Sequence, residues 1–340
     1  MKLRGGYNIL LQGRPDDVIK ALPEPDALYL PLRSQRFVFS ELCADDGQQV
    51  NAGDVIAKDP NNFALPLLAP RGGTVKLKMA EGHIVLTDVS PPVEKTHVPE
   101  KDLPHIVHEM GAAGIKRYKL LSLGAWQFFY DAYTGRLPDP LDTPQAIIVS
   151  TVSLEPFVTR GDVQLHNRLL QFTRGLEHLQ SLLEYQPIYL IMPDISSAFA
   201  SQVREQIRGY AWVKIIEIPL KYPYDNFNIL ARGLGLRKDA GPIWSVRTEG
   251  ILAIDRALTE SKPCLARIVS IAGAGVKTPV HIKAMAGYPL KTILDMHVSE
   301  SAVKVINNGI LTGQPTDAKT LGLDTECRGI TVLPEPGDRE

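Results

Sequence analysis

No apolar run in this sequence reaches the ~18 to 20 residues that a bilayer-crossing helix needs. The amino-terminal stretch MKLRGGYNILLQGRPDD has neither the apolar core nor the cleavage site of a signal peptide. The expectation is a soluble, cytoplasmic chain, with a peripheral position on a membrane complex left open. Cysteine is scarce: Cys43, Cys264 and Cys327 stand far apart and follow no CxxC spacing. This excludes an iron–sulfur cluster held by the chain alone and supports no disulfide framework. Histidines are scattered. His105 and His108, with Glu109 beside them, are at helical spacing but have no identifiable further ligands, so a polar helix face is preferred to a metal site. Neither sign of charge is in excess, with 37 Lys and Arg against 38 Asp and Glu, which argues against nucleic-acid binding and a polybasic membrane patch. Also missing are GxSxG, HExxH, a P-loop and a complete GxGxxG. Gly273-Ala274-Gly275 matches only the first half of the last and has no expected helix behind it, so it reads as a β-turn.

What is present is a globular composition, 44% hydrophobic and 22% charged, on a chain of 340 residues, enough for two or three domains. Residues 3–31 form a lead-in, with a short helical turn at most over Val18 to Leu22 and a strand at ALYLPL. From Phe37, short β-forming runs alternate with turns at Gly47, Gly53-Asp54 and Pro70 to Gly73, and HIVLTDV (His83 to Val89) closes the set. The pattern GDVIA…APRGGTV resembles the start of a biotinyl/lipoyl type of barrel-sandwich module. Such modules carry a modifiable lysine at a hairpin tip. Here the hairpin is AKDPNNFALPL, Lys58 lacks the flanking pattern, and a structural barrel is preferred. Ser90 to Leu103, rich in Pro and charge, reads as a connector.

A helix starts at Pro104 and ends at Gly111. Gln145 to Val152, Pro187 to Met192 and Trp212 to Ile218 have the length and branching of buried parallel strands. Helices are expected between them, from Asp162 to about Tyr185 and from Ser196 to Gly209, making a βαβαβ unit. Ser245 to Leu258 reads as a further helix. From Pro263, strands at Ala266 to Ile271, Val280 to Ala284 and Val303 to Ile306, with a helix over Leu290 to Met296 and a turn at Asn308-Gly309, fit a β-grasp layout. The fold class is therefore α/β and multi-domain, with a barrel-sandwich region over 1–100, an open α/β region over 101–260, a β-grasp region over 261–333 and a linker-like tail over 334–340. Whether the chain continues beyond that tail is left open.

No catalytic residue is identified. Ligands on open α/β sheets sit outside the C-terminal strand ends, here Ser153 to Thr159, Met192 to Ser197 and Pro219 to Asn228. Gly111 to Gly114 could cradle phosphate, with Lys116 and Arg117 suited to an anion, although a helix C-cap and a solvated basic pair is the preferred reading. Glu155 stands at a strand end, where a lone Glu before Pro is more often structural. Trp126, Phe128, Phe129, Tyr130 and Tyr133 could line a pocket for a flat ring such as a quinone, with core packing the preferred alternative.

The order of these modules, together with LLAPRGGTV, GAWQFFYDAYTGRLPDP, QAIIVSTVSLEPFVTRGD, IWSVRTEGILAID and VINNGILTGQP, resembles one family. It holds the A subunit of the Na+-translocating NADH:quinone reductase and the C subunit of the Rnf electron-transport complex, both related to the NADH-binding flavoprotein subunit of complex I. The family's GRGGAGFP loop for NADH and flavin phosphate is replaced by GAAGIKRYKLLSLGAW, Ser150-Thr151 stands where Asn-Gly is expected, and the CxxCxxC repeats of the Rnf protein are absent. The resemblance implies a peripheral subunit on the cytoplasmic face of the inner membrane, similar to the A subunit of the quinone reductase, with integral and flavoprotein partners. It implies ubiquinone contact at the aromatic run and a degenerate FMN/NADH site at Gly111, Gly114, Lys116, Arg117 and Glu155. The alternatives are an Rnf-like core that binds FMN or NADH, and a non-catalytic scaffold.

Overall fold

In the computed structural model, which describes residues 5–91, 105–183, 186–298 and 303–335, the strands of the amino-terminal part are β1 (Ile19–Lys20), β2 (Leu28–Pro31), β3 (Glu41–Leu42), β4 (Gln49–Val50), β5 (Val55–Asp59), β6 (Leu65–Leu68), β7 (Gly73–Lys78) and β8 (His83–Thr87). Then follow α1 (His105–Ser122), β9 (Phe129–Asp131), β10 (Ala146–Ser150), α2 (Gly161–Leu165), α3 (Leu169–Gln180), β11 (Ile188–Pro193), α4 (Ala198–Gln206), β12 (Val213–Ile218), α5 (Phe227–Gly233), β13 (Ile243–Arg247) and α6 (Thr248–Glu260). The last part holds β14 (Ala266–Ala272), β15 (Val280–Met285), α7 (Leu290–His297), β16 (Val303–Asn307), β17 (Gln314–Pro315) and β18 (Gly329–Pro334). The side chains of His105, His108 and Glu109, most of the Ser90 to Leu103 connector and the tail beyond Glu335 lie outside the described residues.

The chain forms two compact units. One comprises Met1–Asn8, Thr96–Leu154 and Arg160–Cys264; the other comprises Ile9–Lys95, Glu155–Thr159 and Leu265–Glu340. The first unit is built on a five-stranded sheet ordered β12-β11-β10-β13-β9, parallel except for β9. Strand β10 is AIIVS and buried throughout, as an interior parallel strand covered on both faces must be. From β10 the chain moves one way to β11 and β12, then returns to place β13 on the other side, so the order reverses between β10 and β13. Two expectations change here, and one strand is added. Ser245 to Arg247 belong to a strand, because the aromatic and β-branched run Ile243 to Val246 pairs with β10 and the helix begins only at Thr248. Phe129 to Asp131 form an edge strand opposite Trp244 to Val246. The expected Asp162 to Tyr185 helix is broken between α2 and α3, where Asn167 takes a φ of 56°; asparagine is among the few residues that tolerate this conformation. Helices α3 and α6 pack at very close range: a Cβ on Gly175 would lie 2.4 Å from the Ile251 carbonyl oxygen. Beside that contact, Arg174 grips the buried Asp255 carboxylate through two bonds of 2.9 and 2.8 Å.

The second unit contains a four-stranded sheet, β2-β8-β7-β4, a three-stranded sheet, β3-β5-β6, and a six-stranded mixed sheet, β1-β15-β14-β18-β16-β17. Val18 to Leu22 is not helical: Ile19 and Lys20 form β1, paired with His281 and Ile282, because a neighbouring strand edge satisfies their backbone. Ile271, Val280, Ile282, Tyr288, Ile293 and Val332 make the core under α7. The turn at Gly273 to Gly275 is used structurally, Gly273 N–H donating to Gly13 (2.9 Å) and Gly275 N–H to Val332 (3.0 Å). A polar fastening joins distant loops: Glu326 accepts from Ser34 Oγ (2.7 Å), the Arg36 amide (2.8 Å) and Arg36 Nε (2.5 Å). Next to it, Asp324 accepts from Asn307 Nδ2 (2.5 Å) and the Glu326 amide (2.7 Å). Burial, reinforced by the Glu326 charge, raises the Asp324 pKa to about 6, even though part of the residue surface still reaches solvent.

Two stability outcomes follow from this packing. Gly175→Ala is expected to lower stability by about 1 to 3 kcal/mol through overpacking, read as a lower urea midpoint. The raised Asp324 pKa means that the folded chain holds a proton that the unfolded chain releases, so stability falls as pH rises from the ordinary carboxylate range through about 6. Asp324→Asn is expected to flatten that fall and add about 1 to 2 kcal/mol at neutral pH, a figure discounted for partial exposure. Urea titrations at acidic and neutral pH measure both.

Candidate functional site

The strand order reverses between β10 and β13, and the region outside their C-terminal ends is where open α/β sheets take ligands. Its polar groups are engaged with one another. Ser150 Oγ donates to the Val152 carbonyl (3.0 Å) and accepts from the Val152 amide (3.2 Å), and Thr151 Oγ1 donates to the Ile191 carbonyl (3.0 Å). Thr248 Oγ1, at the start of α6, donates to the Ser150 carbonyl (3.3 Å). Asp225, 4% exposed, accepts from the Leu154 amide (2.8 Å) and stands 3.7 Å from Arg247 Nη1, whose guanidinium covers the Phe227 ring at 4.8 Å. Arg247 and Asp225 are the charged groups of this strand-end region that sequence reasoning did not single out. Reading Ile243 to Arg247 as a strand would have put Arg247 at a strand end; Asp225 lies in the strand-end loop already identified.

The four residues expected at the nucleotide phosphates are placed as follows. Gly111, with φ 55° and ψ −133°, interrupts α1, as a helix C-cap does. The following segment is not a loop: it resumes as helix to Ser122 and carries Gly114, buried, within it. The reason is local, since AAGIKRYKLL is rich in strong helix formers. Lys116 Nζ donates to Ser181 Oγ (2.8 Å). Arg117 is not a solvated base, being 2% exposed. Its Nη1 donates to the carbonyls of Pro140 (2.8 Å) and Asp142 (2.7 Å), its Nη2 donates to that of Leu182 (2.8 Å), and its plane lies 4.8 Å over Trp244.

Glu155 falls in the second unit. Its carboxylate is buried and accepts from the amides of Leu311 (2.7 Å) and Thr312 (3.2 Å), in the turn after Asn308. Gly309 lies against it so closely that a Cβ there would stand 2.2 Å from Glu155 Oε1.

The aromatic run is mostly interior. Trp126 stacks on Phe129 at 4.4 Å, both meet Trp244 edge-on at 5.2 and 5.7 Å, and Trp126 Nε1 donates to the Pro138 carbonyl (3.0 Å). Phe128 is 4% exposed. Tyr130 is half-buried and lies 6.1 Å from the Phe227 ring, and Tyr133 Oη donates to the Leu236 carbonyl (2.6 Å). Lys58 lies on β5 opposite Glu41, short of the hairpin tip. Among the described residues, no group of three or more His, Cys, Asp or Glu could hold a metal ion, and no helix is long and apolar enough to cross a membrane.

Residues 112–260 match the family model described as the NqrA second alpha/beta domain. The chain is 25% identical over 228 residues to the A subunit of the Na(+)-translocating NADH-quinone reductase of Alcanivorax borkumensis, covering 65% of this chain and 48% of that protein. It is 23% identical over 290 residues to the C subunit of the ion-translocating oxidoreductase complex of Vibrio cholerae serotype O1, covering 80% and 37% respectively. The chain thus spans about half the length, or less, of these relatives. Among solved structures, an NAD+-reducing [NiFe]-hydrogenase superposes with a TM-score of 0.50 at 13% identity, over 71% of this chain and 52% of that one, a likeness of fold alone. Residues 112–260 thus match the NqrA second alpha/beta domain, and the chain is similar to the A subunit of the Na+-translocating NADH-quinone reductase and to the C subunit of the ion-translocating oxidoreductase complex.

Proposed function

We propose that this chain is a peripheral subunit of a bacterial ion-translocating NADH:quinone oxidoreductase, similar to its A subunit, held on the cytoplasmic face of the inner membrane by integral and flavoprotein partners. In this reading its FMN/NADH site is degenerate. The observation that carries it is Arg117: a cation that could meet phosphate is instead committed to three backbone carbonyls and the Trp244 face. The helix through Gly114 and the engagement of Glu155 with the Leu311 and Thr312 amides support the same reading. The two small sheets of residues 28–87 are read as a barrel-sandwich hybrid, and residues 261–333 as a β-grasp domain of the SLBB type, both serving as docking modules rather than carriers. Similarity to the C subunit of the ion-translocating oxidoreductase complex favours one rival, an Rnf-like core that binds FMN or NADH through the strand ends. Within the NqrA-like reading, Trp126, Phe128 and Phe129 are enclosed by their neighbours, which leaves Tyr130 as the ring a ubiquinone would meet.

Titration with FMN and with NADH separates the two readings: no stoichiometric binding is expected, and tight binding of either would establish the Rnf-like alternative. Arg117→Met is expected to cost about 3 kcal/mol by leaving buried carbonyls unpaired, with unchanged FMN and NADH titrations. A ubiquinone titration read by fluorescence is expected to weaken in Tyr130→Ala; a response that survives the substitution would move the quinone elsewhere.

A further inference from the structure

Helix α1 carries two lysines, Lys116 and Lys119, whose spacing puts them on one face, one turn apart. Neither is held by an acid. Lys116 Nζ donates to Ser181 Oγ (2.8 Å) and Lys119 Nζ to Ser261 Oγ (2.7 Å), and among the described residues no carboxylate and no backbone carbonyl takes either ammonium group. Carboxylates of the neighbouring helices α3 and α6 are engaged elsewhere. Glu177 accepts from Tyr210 Oη (2.5 Å), Asp255 holds Arg174 (2.9 and 2.8 Å), and Glu260 faces Arg256 Nη1 (3.7 Å) and Lys262 Nζ (3.9 Å). Two cations thus stand together with hydroxyl groups as their partners.

Of the two, Lys119 is the better nucleophile. Its side chain is half-buried, and burial without an acid to offset it lowers its pKa. A larger share of the amine is therefore uncharged at neutral pH than for a lysine in water. A desolvated lysine beside a second cation is one of the arrangements that activate an amine for attack on a carbonyl. Ser261 supplies the positioning. It ends α6 with φ 55° and ψ 37°, a conformation that helix ends usually give to glycine or asparagine. What serine brings to that position is the hydroxyl that Nζ meets. An uncharged Nζ can still donate one N–H to Ser261 Oγ, which fixes the amine and leaves its lone pair for an incoming carbon.

We propose that Lys119 is a modification site, its Nζ taking an acyl group from a small acyl phosphate. The donor is an anion, and the uncompensated charge of Lys116 beside Lys119 draws it. Nζ attacks the acyl carbon, the bond from that carbon to the phosphate oxygen breaks, phosphate leaves with the electron pair, and the amine releases one proton to water. The product is a neutral amide, so the C-terminal end of α6 loses a cation that favours its dipole. The site goes beyond the peripheral-subunit reading and does not depend on it.

Incubation of the full chain with acetyl phosphate at neutral pH, followed by peptide mass spectrometry, reads the rate at each lysine. Lys119 is expected to react about 5-fold faster than Lys291, an exposed lysine paired with Asp295 (2.6 Å). Ser261→Gly removes the hydroxyl at a position that glycine favours, so the fold is kept; it is expected to slow Lys119 about 3-fold and leave Lys291 unchanged. Lys116→Gln is expected to slow the reaction of Lys119 with acetyl phosphate about 3-fold and to leave unchanged its reaction with p-nitrophenyl acetate, an uncharged acyl donor. Acetylation of Lys119 no faster than that of Lys291 overturns the site. An unchanged rate in Ser261→Gly overturns the positioning by Ser261, and an equal effect of Lys116→Gln on both donors overturns the acyl phosphate as the preferred one.

Discussion

A guanidinium removed from water is tolerated only when its donors and its charge are compensated. Arg117 is compensated through its two terminal nitrogens, which donate to the carbonyls of Pro140, Asp142 and Leu182, and through the face of Trp244. Those partners come from the loop before β10, from the end of the α3 region and from β13, so one side chain on α1 ties three remote segments of the α/β unit. Around it, Trp126 and Phe129 close on Trp244, and that aromatic cluster fixes the antiparallel edge strand against β13.

The helix that carries Arg117 is interrupted at Gly111 and continues to Ser122, so the segment after Gly111 is held in a regular backbone. The strand ends of β10 and β13 repeat the pattern. Asp225 and Arg247 are close enough to neutralise one another, and the hydroxyls of Ser150, Thr151 and Thr248 are directed to backbone carbonyls. The polar groups named at these strand ends thus serve the fold. In the second unit the emphasis is on holding loops in place, as Glu326 does for the Ser34 to Arg36 turn and Asp59 for the β5–β6 hairpin.

Much of the α/β architecture was legible in the sequence. Interior strands need continuous apolar, β-branched runs, so Ala146 to Ser150 and Ile188 to Pro193 announce themselves. The relationship to the two oxidoreductase subunits was also readable from particular segments. Strand β13 was harder to find, because Ile243 to Arg247 runs without a break into a strongly helical stretch and no turn residue separates them. The break at Asn167 was hidden for a related reason: the apolar spacing continues through it, and a single asparagine does not reveal its φ. Strand β1 is two residues long, too short for any periodicity to show.

Residue order alone settles element type wherever burial imposes a repeating apolar pattern, and it settles what chemistry the residues could not support, such as a cysteine-ligated cluster. Which polar groups are available is settled by folding. Arg117, Glu155 and Trp126 are residue types suited to a ligand site, and nothing along the chain says that their partners are backbone carbonyls, backbone amides and another indole. Hydrogen-bond partners distant in sequence are chosen by folding, and a buried polar group must take the partner that folding supplies.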